Sequence, residues 1–214
     1  MKRITLEGVV PEIFASRGDI SSDIWLRDVS FERGKSYLVR AESGTGKSSL
    51  CSYIYGQRGD YRGIIRFDQE DVSRYDIGRW SEIRQANISI LFQELRLFGE
   101  LTALENVWIK NSITNFKSRE KIESLFQELG IADKLNSRTD RLSFGQQQRV
   151  ALIRALCQPF DFLLLDEPIS HLDDKNSDVM RDVILREVEK QGAGLIATSI
   201  GKQMNIDYDL CLNL

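Results

Sequence analysis

The stretch "AESGTGKSSL", residues 41–50, follows the apolar run "KSYLVR" and leads into "CSYIYG". A phosphate-binding loop needs successive backbone N–H groups aimed at an anion, and glycines let the main chain curl that closely. Gly44 and Gly46 supply that freedom. Lys47 is expected to reach the β- and γ-phosphates of a nucleotide, and the Ser48 hydroxyl to ligate Mg²⁺. Glu42, Ser43, Thr45 and Ser49 complete the expected lining, and the helix that follows offers its partly positive N-terminus. The run departs from G-x-x-x-x-G-K-[ST] at Ala41 alone. At negative φ an alanine there costs little; at positive φ it strains the loop by roughly 1 kcal/mol or more.

Working outward, "ITLEGVV" and "DIWLRDVSF" carry apolar and β-branched residues at strand density, and "KSYLVR" reads as a third strand. "KSSLCSYIYG" then reads as a helix ending at Gly56. "GIIRF" and "NISILFQ" are further short strands. Between Glu94 and Leu142 the texture turns helical. In "REKIESLFQELG", Ile122, Leu125, Phe126 and Leu129 fall at i, i+3, i+4 and i+7. "QQQRVALIRAL" is helical as well.

"FDFLLLDEP" has the continuous apolar run of a strand buried on both faces, with carboxylates at its C-terminal end. Asp166 is placed to hold the Mg²⁺ hydration shell, and Glu167 to polarise a water for attack on the γ-phosphate. A helix over about 174–190 and the strands "GLIATS" and "DYDLCLNL" complete the chain. Alternation of strands and helices at both ends implies a largely parallel sheet whose carboxyl ends carry the site. The expected fold class is α/β. It is a P-loop NTPase with a mostly parallel core sheet, an antiparallel N-terminal β part and an inserted α-helical subdomain. The chain reads as a single domain, 1–214, with the insertion at about 94–142.

Composition narrows the function. The chain has 214 residues, is 42% hydrophobic and 29% charged, and carries a net charge of -3. That suits an ordinary core and gives no basic field for nucleic acid. No window approaches the ~20 apolar residues of a spanning helix, and no signal peptide is read at the start. The three cysteines, Cys51, Cys157 and Cys211, read as buried free thiols.

"LSFGQQQRVALIRAL" resembles the signature of ABC transporter nucleotide-binding domains, usually LSGGQ followed by a basic helix. Ser143, Gly145 and Gln146 match, and Phe144 stands in place of the first glycine. The resemblance extends over essentially the whole chain. "LTALENV" and the compact length bring it nearest to the lipoprotein-release, macrolide-export and cell-division branch of exporters. It implies that Ser143, Phe144, Gly145 and Gln146 meet nucleotide held by another subunit, so that two chains form a head-to-tail dimer around two ATP molecules. Gln93 resembles the Q-loop glutamine, touching Mg²⁺ or the water. "ISHLD", residues 169–173, resembles the D-loop, with Ser170, Leu172 and Asp173 matching. Phe14 stands where an aromatic stacks on adenine, the alternative being a core phenylalanine.

Ser199 occupies the place of the family's switch histidine, and a serine hydroxyl is too short to span the same gap. The resemblance therefore implies an ATPase subunit slowed at Ser199, with ATP and Mg²⁺ as its cofactors. It would work as a homodimer or paired subunit with a separate integral-membrane permease, cytoplasmic and peripheral to the inner face of the membrane, without inserting in it. A binding groove for a permease coupling helix is expected around Gln93 to Val107, lined by the exposed aromatics and leucines of "LRLFGEL", the alternative being that these form a satellite core of the insertion. A second reading keeps nucleotide binding but makes hydrolysis weak, so that ATP clamps a regulatory dimer.

Overall fold

The apolar runs pair into two sheets, described by a computed structural model that covers residues 1–16, 20–42 and 44–214. Ser43, expected in the phosphate loop, lies outside the described residues. In chain order, β1 (Arg3–Pro11), β2 (Asp28–Glu32) and β3 (Ser36–Arg40) lead to helix α1 (Lys47–Ile54). Next come β4 (Tyr61–Phe67), β5 (Glu70–Asp71), α2 (Ile77–Ala86) and β6 (Ile88–Leu91). Three helices follow, α3 (Ala103–Asn111), α4 (Arg119–Glu128) and α5 (Phe144–Leu156). The chain closes with β7 (Phe162–Asp166), α6 (Asp174–Gln191), β8 (Gly194–Ser199) and β9 (Leu210–Asn213).

One sheet is antiparallel, ordered β2-β1-β4-β5; the other has five parallel strands ordered β6-β7-β8-β3-β9. Side chains on successive strand residues point to opposite faces, and the parallel sheet buries both. Leu163, Leu165, Leu195 and Ala197 face a core shared with α3 to α6. Phe162, Leu164 and Ile196 face a second core shared with α1 and the antiparallel sheet. That two-sided burial is why "FLLLD" carries no alternation: all five residues of β7 are buried. β3, with the phosphate loop at its end, lies between β8 and β9.

Caps set the helix starts. Thr102 and Glu105 form a reciprocal capping box at α3, Ser118 caps α4, and Asp173 caps α6. Lys117, just ahead of α4, reaches Glu187 of α6 in a buried ion pair of 2.5 Å. Among the described residues no helix is long and apolar enough to cross a membrane.

Three local readings need correction. "DIWLRDVSF" becomes strand only from Asp28. Ser22 Oγ accepts from the N–H groups of Ile24 and Trp25, and the chain turns at Leu26, whose φ is 61°. Trp25 is thereby sent inward, 2% exposed. Helix α2 escaped notice because only Ile83 of its ten residues is buried, too little for an apolar stripe. Cys51 and Cys157 are buried, but Cys211 is exposed, because β9 is the sheet's edge.

Candidate functional site

The carboxyl ends of β3, β6, β7 and β8 lie at one edge of the parallel sheet, and each delivers a residue expected from the sequence. The loop after β3 closes on itself. Thr45 Oγ1 and Lys47 Nζ both donate to the Glu42 carbonyl, at 2.9 and 3.3 Å. Trp25 Nε1 donates to the Thr45 carbonyl at 3.0 Å. Gly44 and Gly46 have φ of 84° and 101°, conformations that favour glycine. A Cβ on Gly46 would lie 3.2 Å from the Trp25 ring and 3.3 Å from the Phe14 ring. Those aromatics therefore form the bed under the loop. Ala41 is not among the positive-φ residues, so alanine at that position carries no backbone strain.

Lys47, the first residue of α1, is 5% exposed, and its Nζ lies 3.6 Å from Glu167 Oε1. Ser48 Oγ donates to Gln93 Oε1 at 3.3 Å. Asp166 ends β7, 5% exposed, and accepts from Thr198 Oγ1 at 2.7 Å. The Glu167 N–H donates to the same Thr198 oxygen at 3.3 Å. Glu167 has φ 52°, a left-handed backbone that costs a non-glycine residue about 1–2 kcal/mol. Gln148 of α5 supports that turn, donating to the Pro168 carbonyl at 2.6 Å. Cys51, one turn into α1, has its thiol pushed well up by burial and then by Asp166, against the pull of Lys47. It stays a neutral thiol.

Thus Lys47, Ser48, Gln93, Asp166 and Glu167 converge. Their oxygens form a hard donor set: Ser48 hydroxyl, Gln93 carbonyl and Asp166 carboxylate suit Mg²⁺ by chemistry. Other expected residues stand elsewhere. Phe14 is 7% exposed and supports the loop from below, while its neighbour Ile13 is exposed. Ser49 Oγ accepts from Arg58 at 3.0 Å. Ser199 is buried and gives its hydroxyl to the Lys202 carbonyl at 2.6 Å. Among the described residues it makes no hydrogen bond to Glu167.

Ser143 caps α5, accepting from the Gln146 N–H at 3.3 Å while Gln146 Oε1 accepts from the Ser143 N–H at 3.0 Å. The start of α5 packs on residues 170–173. The Phe144 ring lies 4.3 Å from the His171 ring, and a Cβ on Gly145 would sit 3.0 Å from Leu172. Ser170 Oγ bonds His171 Nδ1 at 2.8 Å. Asp173 accepts from the Asn176 N–H and side chain, which hold its carboxyl below the usual range. No hydrogen bond or ion pair among the described residues joins Ser143, Phe144, Gly145 or Gln146 to the 41–49 loop. Lys202 Nζ donates to the Leu172 carbonyl at 2.6 Å, joining the turn after β8 to this segment.

Sequence reading missed Thr198, Gln148 and Lys202. Thr198 sits in "IATS", one residue before the position singled out. Its closeness to the two carboxylates arises only when β8 pairs with β7, so the sequence carried no signal for it.

A glycine-curled loop feeding a helix, with a carboxylate-ended strand beside it, defines a phosphate-loop nucleotide-binding protein. Within that class the chain belongs to the ABC transporter family, whose profile matches residues 26–170. It is 33% identical over 192 residues to an uncharacterised ABC transporter ATP-binding protein of Thermotoga maritima, covering 87% of this chain and 81% of that one. It is 33% identical to the lipoprotein-releasing system ATP-binding protein LolD of Geobacter metallireducens, covering 83% and 80%. The macrolide export ATP-binding/permease protein MacB of a Shewanella species is 32% identical over 80% of this chain, which spans only 27% of that protein. The fold matches the dimeric bacterial ABC transporter cassette MJ0796, with a TM-score of 0.79 and 24% identity, over 92% of this chain and 87% of that one. The expected ABC resemblance and its branch are borne out, and so is the mixed α/β class.

Proposed function

We propose that this chain is the ATP-hydrolysing motor subunit of a transporter, pairing head to tail with a second cassette and driving separate permease subunits. The observation that carries this reading is the convergence of Lys47, Glu167, Ser48 and Gln93 at the sheet's carboxyl edge. Bound Mg-ATP supplies the γ-phosphoryl group and the metal charge. Lys47 then exchanges its pairing with Glu167 for the phosphate oxygens, which frees the carboxylate to accept a proton from water. Thr198 fixes the backbone from which Glu167 projects, and Ser48, Gln93 and Asp166 hold the metal side. The loop's N–H groups would orient the β-phosphate.

The start of α5 supports the paired arrangement. Its Ser143 end packs on residues 170–173 and, among the described residues, makes no hydrogen bond or ion pair to the chain's own loop, which suits an anion presented by another subunit. The relative MJ0796 is described as dimeric.

A cleft of about 300 Å³ between Phe92, Phe98, Ile109 and Ile113 fits a permease's coupling helix. Phe98, Ile109 and Ile113 are all exposed there. Of the leucines expected to line it, Leu95 is buried and Leu97 packs against the core.

The alternative, a hydrolysis-weak clamp, is favoured by one observation: Ser199 spends its hydroxyl within its own turn. Steady-state ATP turnover of the wild type and of Glu167→Gln separates the two. The motor reading expects a loss of about 10²-fold or more in the variant. Equal rates favour the clamp.

A further inference from the structure

We propose that Arg154 is a positioning residue for Gln93, a clamp from the far end of α5 that holds the Gln93 turn in its site geometry. This rests on the ATP-site reading above. Leu95, which ends that turn, and Arg96 after it both have positive φ, 58° and 49°. Two consecutive non-glycine residues in the left-handed region are rare and persist only where surroundings over-determine them.

The determinants are visible. Arg154 Nη2 donates to the Leu95 carbonyl at 2.5 Å and Nη1 to the Arg96 carbonyl at 2.6 Å. The Leu95 N–H donates to the Phe92 carbonyl at 3.0 Å, closing a turn with Gln93 inside it. The Arg96 guanidinium lies 4.0 Å over the Phe92 ring. The planar fork of arginine matches two adjacent carbonyls with two preorganised donors, a geometry the compact ammonium of lysine does not reproduce.

Arg154 makes no ion pair among the described residues, and burial pulls its pKa down. A half-buried cation without a carboxylate is held here by carbonyl dipoles, so its placement is specific to this turn. Arg154 also lines the cleft with Phe98, Ile109 and Ile113. An occupant of the cleft would therefore press on the group that fixes Gln93. The Gln93 turn, the signature helix and the cleft meet at one side chain.

The test combines hydrogen exchange with a double-mutant cycle on the full chain. Arg154→Met removes both donors at similar length, Arg154→Lys keeps the charge, and Gln93→Ala removes the group being positioned. Backbone amides 95–98 are expected to exchange at least about tenfold faster in Arg154→Met than in wild type, with Arg154→Lys between. Turnover of Mg-ATP should fall about tenfold in kcat for Arg154→Met, with KM within about threefold. Added to Gln93→Ala, Arg154→Met should cost less than about twofold more.

Unchanged exchange, or losses that multiply in the double variant, would overturn the proposal. If the wild type binds Mg-ATP without turning it over, the cycle is read on Mg-ATP affinity with the same two outcomes. If it binds none, the ATP-site reading fails, and exchange at 95–98 alone decides the clamp: faster supports it, unchanged sinks it.

Discussion

Replacing Thr198 by Val removes one hydroxyl from the centre of the site while keeping the side chain's shape. Two bonds depend on that oxygen. The bond to Asp166 is 2.7 Å and charge-assisted, a kind worth about 1.5–3 kcal/mol. The bond from the Glu167 N–H is 3.3 Å, at the weak end of the usual ~0.5–1.5 kcal/mol. Thr198 is 0% exposed, so no bulk water replaces the lost partner. Valine fills the same volume, so no cavity contributes. The sum is a destabilisation of about 2–4 kcal/mol, nearer the lower figure because one hydroxyl serves both groups. Thr198→Ser keeps both bonds, loses one methyl, and should cost only about 1 kcal/mol. Urea unfolding without nucleotide checks this, with the midpoint shifting and the m-value unchanged. Turnover should fall with Val, since Glu167 loses the anchor of its left-handed backbone. A Val variant within about 0.5 kcal/mol of wild type, or a Ser variant as damaged as Val, would refute the reasoning.

Phe98→Asp should leave folding nearly untouched, because the ring is already 54% exposed. It should abolish co-purification with a membrane partner while Mg-ATP affinity holds; retained co-purification would rule out the cleft as the docking surface. Lys117→Met leaves Glu187, 1% exposed, with only the long 3.9 Å pairing to Arg186, and should cost about 3 kcal/mol in urea. Lys117→Met with Glu187→Leu should recover most of that loss, and a double variant no better than the single would mean the pair is not the cause.

The parts of the fold that were legible are those where one local signal meets one physical demand. "ESGTGKS" demands inward N–H groups, and "FLLLD" demands burial on both faces; both are set by nearby residues. Helix α4 announced itself through a clean apolar stripe, whereas α2, with Ile83 as its single buried residue, offered none. Within the site, Lys47, Ser48, Gln93, Asp166 and Glu167 came from motif positions. Thr198, Gln148 and Arg154 did not, because their roles depend on which carbonyl or carboxylate the folded chain brings to them. Phe14 illustrates the same limit. An aromatic near a nucleotide loop can face a base or support the loop, and the Gly46 contact that favours support joins residues far apart in sequence. Trp25, predicted to lie in a strand, proved to be the other half of that bed.

Calorimetric titration of Mg-ATP into the folded wild type, alongside Lys47→Ala, tests the central claim most directly. Saturable heat in the wild type, with affinity lost in the alanine variant, is the result this account predicts. No heat with well-folded wild type, or the same isotherm in both proteins, would contradict it.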